Sequence, residues 1–441
     1  MEKIKNRLNL ISLFIIVLIP LFYIFSVGLL NFAFVFISLS FLLICFLNKD
    51  FIFLKDKFFV YLYIFWTYLL LSAIFIHRDF EIFLRSLFYV RYIIFPIAIY
   101  YFLKKNFKSF NIIKIFYLII IFFVVIDTWF QFFYGKDILG YELPADFLGR
   151  LSGPFGKELI VGGFLSLIGV LTLLLNFYKK KLLLNKWFVF CFLFLASAVF
   201  VSGERASILF LFLFLFFNLL LNKIIRKKIF IIFFLTTCLF IILINFSSNL
   251  KWRVYGQLYG LSQPIIKKND IISGVENDKI NYLKLEKFYR TYIEAIKSFK
   301  DTQWGAHWLT AIEISKDNFL FGSGVRTFRI ACQKYDKIDS LRKDSRCSTH
   351  PHNIYLEILS ETGMIGLTLI LLFFINFIKS LINETNNKSL TITLGALILA
   401  IIFPLKPTGA FFSSWYGSIL WYLIGYYYFS LKYLQKEKKE K

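Results

Sequence analysis

Apolar runs recur along this chain at close to the length a bilayer demands, and nothing else in it limits the fold as strongly. LNLISLFIIVLIPLFYIF, FLFLFLFFNLLL and IFIIFFLTTCLFIILI approach the roughly 20 residues needed to cross a ~30 Å hydrocarbon core. Backbone polar groups in lipid must be satisfied within the segment, so runs of this kind are helices. A β-barrel would alternate apolar and polar residues, and these runs do not. The chain is 58% hydrophobic and 21% aromatic over 441 residues, which a soluble domain of that size would not carry.

Window reading gives about twelve spans, at 8–26, 28–47, 58–76, 84–103, 111–134, 158–178, 186–202, 206–222, 229–247, 353–378, 389–405 and 411–431. The expected fold class is therefore all-α: a polytopic transmembrane helix bundle with one large extracytoplasmic loop domain between spans nine and ten. The division is 1–247 for spans one to nine, 248–352 for the loop domain, 353–431 for the last three spans and 432–441 for a basic tail. Lys3, Lys5 and Arg7 precede the first run, but no small-residue cleavage site follows it, so the expectation is an uncleaved first span.

Basic residues recur on every second connection. Lys49, Lys55 and Lys57, then Lys104, Lys105 and Lys108, then Lys179–Lys181, then Lys223, Arg226, Lys227 and Lys228, then Lys436, Lys438, Lys439 and Lys441 fall on one side. That bias sets both termini in the cytoplasm. It also accounts for most of the net charge of +24 without a nucleic-acid partner. The connections at 77–83, 135–157, 203–205, 248–352 and 406–410 then face outward. There is no G-x-x-x-x-G-K-[ST] loop, the phosphate cradle of a P-loop ATPase.

The outer connections hold the residues with chemical potential. His350, Pro351, His352 and Asn353 form a polar cluster where the long loop meets an apolar run carrying Glu357 and Glu361. An imidazole titrates near neutrality and can take or orient the proton of a sugar hydroxyl; Asn353 can hydrogen-bond a sugar. Two plainer readings stand beside this one. The imidazoles can cap the helix start, or His307, His350 and His352 can hold zinc, although the spacing carries no zinc signature. Glu361 lies further along the helix, placed to fix a neighbouring helix or backbone. Arg205 in VSGERAS sits in a very short outer turn beside Glu204. Arg85, Arg91 and Arg150 stand at the same membrane edge. A guanidinium suits phosphate oxygens, and snorkelling is the alternative. RLSGPFGKELIVGG and FGSGVRTFR are glycine-bearing turns that permit close approach of a ligand or a helix. Cys332 and Cys347 lie near the histidines, as a disulfide if that side is oxidising or as free thiols otherwise.

The pattern H-N-x-x-L-x-x-x-x-E-x-G-x-x-G (His352, Asn353, Leu356, Glu361, Gly363 and Gly366), the SGER turn at Arg205 and the single large late loop together resemble the O-antigen ligase and polymerase superfamily of bacterial envelope proteins. The resemblance covers about residues 140–420. It implies a metal- and cofactor-independent glycosyltransferase of the inner membrane, with its active site facing the periplasm. The donor would be a glycan on undecaprenyl diphosphate, and the acceptor lipid A–core in ligases or another lipid-linked repeat in polymerases. His352 would act on the acceptor hydroxyl and Arg205 on the diphosphate. The chain departs from the family pattern at a second loop arginine: none stands in QWGAHWLTAIEISKDN, leaving His307, Arg290 or Arg253 for that place. A lipid-linked glycan flippase or other transporter is a different class, in which charges gather at the midplane of two similar halves. Here they gather at the outer rim.

Overall fold

The computed structural model describes residues 2–143, 149–177, 185–251, 303–335, 346–383 and 389–433. Regular structure among them is helical throughout, apart from one isolated bridge between Lys136 and Glu142. The helices are α1 (Glu2–Phe25), α2 (Val27–Asn48), α3 (Val60–His77), α4 (Phe80–Lys105), α5 (Phe110–Tyr134), α6 (Val161–Asn176), α7 (Lys186–Val201), α8 (Arg205–Leu221), α9 (Arg226–Phe246), α10 (Gln303–Asp317), α11 (Ile354–Asn383), α12 (Ser389–Ile401) and α13 (Tyr416–Lys432). Seven of these (α1 to α5, α9 and α11) are long and apolar enough to cross a membrane, so the chain is a membrane protein. A helix overlaps each of the twelve expected intervals; α6, α7, α8 and α12 are apolar but shorter than a full crossing.

Helix ends follow local chemistry. Ser26 caps α2 by accepting from Leu29 N–H at 3.2 Å, and Asp79 caps α4 by accepting from Ile82 N–H at 2.9 Å. The Asp79 cap starts α4 four residues before the expected 84. Arg78, in left-handed backbone, closes the preceding turn. Lys179–Lys181, Lys436, Lys438, Lys439, Lys441, Arg253, Arg290 and most of the expected loop domain lie outside the described residues.

The centre of the bundle is α13, apolar nearly all round and packed on α4, α5 and α12. Trp421, Tyr422, Tyr426 and Tyr427 are fully buried there. Lipid offers no hydrophobic drive between helices, so close packing and internal hydrogen bonds hold them together. Tyr422 and Tyr426 both donate to the Tyr117 hydroxyl, which in turn donates to the Ile16 carbonyl at 2.6 Å. Three helices, α1, α5 and α13, share one satisfied polar chain with no charge in it.

Helix α11 is bent by design of its sequence. Gly363 has φ 67°, which a side chain tolerates poorly, and a Cβ there would lie 2.2 Å from the Leu320 carbonyl oxygen. The break lets the turn 319–328 pack directly on the helix backbone. Met364 N–H donates to Phe319 O at 2.8 Å, Gly324 N–H to Glu361 O at 2.8 Å and Ser323 N–H to Ser360 O at 2.9 Å.

Candidate active site

Three imidazoles meet at the start of α11. His350 and His352 have ring centroids 4.1 Å apart, and His307 from α10 stacks on His352 at 5.4 Å. Asn353, not an imidazole, caps the helix: its Oδ1 accepts from Tyr355 N–H at 3.0 Å and Leu356 N–H at 3.1 Å, and its Nδ2 donates to Pro404 O at 2.9 Å. His352 takes left-handed backbone, φ 56°, at a cost on the order of 1 kcal/mol or more for a non-glycine residue. The loop before α13 holds it there, with Thr408 N–H donating to His352 O at 2.9 Å.

The same loop fixes His350. Its Nε2–H donates to Thr408 O at 3.3 Å, while Nδ1 accepts from the Thr349 hydroxyl at 2.9 Å. Burial pushes the His350 ring down to about 4, with His307 and Arg329 acting in the same direction. Burial, then His350 and His307, pushes His352 down to about 3. Both rings are thus neutral at pH 7 and able to accept a proton. Among the described residues, no group of three or more His, Cys, Asp or Glu side chains is arranged to hold a metal ion; the His307 and His352 rings meet face to face.

Helix α10 joins this cluster to Arg205. The Arg205 guanidinium lies over Trp304, 5.4 Å from the ring centre. Trp304 and His307 are three apart on α10 and so share a face. Beneath Arg205, the SGER turn is held by the glycine-bearing stretch before α6. Leu151 N–H donates to Ser202 O at 3.0 Å. Glu204 accepts from Gly163 N–H at 2.7 Å and approaches Arg150 at 3.9 Å. Gly203 has φ 68°, and a Cβ on it would lie 2.2 Å from Gly149 O. Arg150 also donates to Leu159 O.

The two glutamates of α11 serve backbone. Glu361, buried, accepts from Arg326 N–H at 2.6 Å and Phe328 N–H at 3.1 Å. Glu357, also buried, accepts from Phe411 N–H at 2.7 Å and Phe412 N–H at 3.2 Å. Together they fasten the turns on either side of the histidines. Cys332 and Cys347 are disulfide-bonded with Cα atoms 5.1 Å apart. Cys332 packs with Ala311 and Ile314 of α10 and with Phe328, so the bridge braces the helix that carries His307.

Arg85 and Arg91 stand apart from the imidazoles. Arg85 pairs with Glu81 at 2.5 Å and donates to Arg326 O at 3.3 Å. Arg91 donates to Phe88 O at 2.7 Å and to the Tyr92 hydroxyl at 3.1 Å. With Arg326 they line a cavity of about 390 Å³.

Sequence reasoning missed Trp304, Thr408, Arg326 and Lys406. Lys406 is buried, donates to the Tyr416 hydroxyl at 3.1 Å and faces the Phe210 ring. Burial pushes its ammonium down to about 7, against an opposing pull from Glu204. The one available signal was a lysine in the short 406–410 loop.

A search of the curated proteins finds no match for this chain. Residues 190–371, from α7 into the lower part of α11, match the family model described as O-Antigen ligase. That segment contains Arg205, His307, His352 and Glu361, and the match over it supports the O-antigen ligase superfamily.

Proposed function

We propose that this protein is a membrane glycosyltransferase of the ligase type. It moves a glycan from undecaprenyl diphosphate to lipid A–core, or a similar acceptor, at the periplasmic face of the inner membrane, with both termini in the cytoplasm. The observation that carries this reading is the link from Arg205 through Trp304 and His307 to His352: a guanidinium and a neutral imidazole fixed by one helix.

The chemistry is a displacement. The acceptor hydroxyl oxygen forms a bond to the anomeric carbon, and the bond from that carbon to the diphosphate oxygen breaks. The hydroxyl proton passes to the His352 imidazole, and the electron pair leaves with the diphosphate. Arg205 neutralises charge where it develops, in a position set before the reaction, which is where such help counts most. An imidazole pushed down to about 3 by burial and its neighbouring rings is a weak base. A bound diphosphate is an opposite charge, which favours the imidazolium and raises the ring's pKa toward neutral pH. Donor binding thereby arms the base. His307 backs His352 and stands near the place of the family's missing loop arginine. Asn353 and Glu361 hold the frame, and Arg150 holds the Arg205 turn through Glu204.

The test is transfer in vitro from a lipid-diphosphate donor to purified acceptor, without nucleotide or metal. His352→Ala is expected to insert and melt like the wild type while transfer falls by roughly 10²-fold or more. Normal transfer by that variant would overturn the mechanism. Single repeats that remain on the acceptor but never lengthen would favour the polymerase reading instead.

A further inference from the structure

The cavity beside α4 has a charge pattern that the transfer chemistry at His352 does not use. Its polar wall is Arg85, Arg91 and Arg326, and Glu81 is the one carboxylate among the lining residues. Three guanidiniums against one carboxylate leave a local surplus of two positive charges. Behind Arg326, Glu361 attracts its guanidinium and Arg329 repels it, so one further charge of each sign leaves the surplus at two; the Glu361 oxygens are taken up by the backbone N–H groups of Arg326 and Phe328. The Arg326 guanidinium has no hydrogen bond or ion pair among the described residues, and Arg91 Nε is buried without an acceptor. Such groups are costly to keep unless something negative comes to them. The rest of the wall is apolar and largely aromatic, with Phe88, Tyr89, Tyr92 and Phe412 beside Leu84 and Val325.

Position connects this cavity with the imidazoles. Thr408 bonds His352 and His350, and Phe412 lines the cavity. Four residues of chain span at most about 14 Å, so one short loop both holds the histidines and forms part of the cavity wall. Arg329 acts electrostatically on both Arg326 and His350, so positive charge is continuous between them. The volume, about 390 Å³, falls in the range of small-ligand sites.

We propose that the cavity formed by Arg85, Arg91 and Arg326 binds a phosphate monoester on the acceptor glycolipid, separately from the donor diphosphate, and so presents the acceptor hydroxyl to His352. A phosphate monoester carries a charge of about −1.5 to −2 and three acceptor oxygens, which matches the surplus of two. A carboxylate would leave one charge uncompensated. Guanidinium forks suit phosphate geometry, and the aromatic wall gives a sugar face something to lie on. This assignment rests on the glycosyl-transfer reading for the identity of the ligand, but not for the existence of the site.

Equilibrium binding tests it without turnover. The full chain in lipid nanodiscs is titrated with a monophosphoryl disaccharide glycolipid, with the same glycolipid dephosphorylated, and with an undecaprenyl diphosphate lipid. We expect the phosphorylated form to bind at least tenfold more tightly than the dephosphorylated one. Arg91→Gln and Arg326→Gln should each weaken it about fivefold to tenfold, and the triple variant with Arg85→Gln should erase the preference while diphosphate-lipid binding is kept. If the glutamine triple variant does not fold, the lysine triple variant is measured instead; it should lose most of the preference because the forks are gone. Equal binding of the two glycolipids by the wild type overturns the proposal, as does a triple variant that keeps the preference. So does competition between the diphosphate lipid and the glycolipid for one site. Inorganic phosphate binding as tightly as the glycolipid would mark a small-anion site and overturn the acceptor assignment. A wild type that shows the binding preference but transfers no glycan would sink the transfer reading alone.

Discussion

The Arg205 guanidinium rests 5.4 Å from the centre of the Trp304 ring, with His307 one turn further along the same helix. Residues about a hundred positions apart are thereby set as one unit. A cation over an indole face gains roughly 0.5–2 kcal/mol depending on desolvation, and a flat guanidinium profits from that face more than an ammonium does. We expect Arg205→Lys, which keeps the charge and loses the fork, to lower transfer at least tenfold. Trp304→Phe should retain most activity and Trp304→Ala should not. Steady-state kinetics on the purified variants decides this, and an unaffected lysine variant would reduce Arg205 to a point charge.

Acidification should weaken the fold near the histidines before it touches much else there. Folding holds His350 down to about 4 and His352 down to about 3, against about 6.5 in an unfolded chain. Between those limits the unfolded state takes up protons that the folded state refuses, so stability is fully present above about pH 6.5 and is lost as pH falls toward 4 and 3. Melting temperatures in detergent across pH 8 to 4 check the sign. His350→Gln with His352→Gln should flatten the decline.

Glu361 should behave as a structural anchor whose loss is felt as stability. Glu361→Ala removes the acceptor for the Arg326 and Phe328 N–H groups, at a cost of about 2–5 kcal/mol for two buried donors left without a partner. Gly363→Ala should be at least as severe, because its Cβ would meet the Leu320 carbonyl. Thermal melting separates these from His352→Ala, which should melt like the wild type.

Cys332→Ala with Cys347→Ala opens a bridge of sequence separation 15, worth about 3 kcal/mol by loop entropy. We expect the double variant to lose transfer progressively on warming, in parallel with reductant-treated wild type. Intact-mass measurement after alkylation, without reduction, reports whether both thiols are blocked.

Chelation should leave transfer unchanged. The proposed leaving group departs with the help of guanidinium, and His307 presents its ring face to His352. Assay in EDTA followed by zinc add-back checks this, and activity restored only by metal would redirect the mechanism.

Helix positions were legible because apolar length is a local property, readable without knowing any neighbour. Asn353 could be picked out from its motif, but its use as a cap depends on the backbone of Tyr355, Leu356 and Pro404. Glu361 belonged to the most specific pattern in the sequence, yet its partners are 35 and 33 residues away. Arg326 passed unnoticed inside a segment read for its glycines. Trp304 looked like one aromatic among many until α10 brought it under Arg205. Pairings made through space leave no periodic trace, and this site is built largely from such pairings.

The elbow at Gly363 divides α11 into two rods that answer to different surroundings. The lower rod lies among lipid-facing and bundle contacts; the upper carries the imidazoles and is tied to the loop before α13 through Asn353 and Glu357. When a thicker or thinner bilayer changes the lean of the lower rod, the strain is delivered to Phe319 and Leu320, whose carbonyls hold its first turn, and from there to the 319–328 turn. A change in membrane thickness would therefore be felt first in the 319–328 turn, and so at Arg326 in the wall of the arginine-lined cavity.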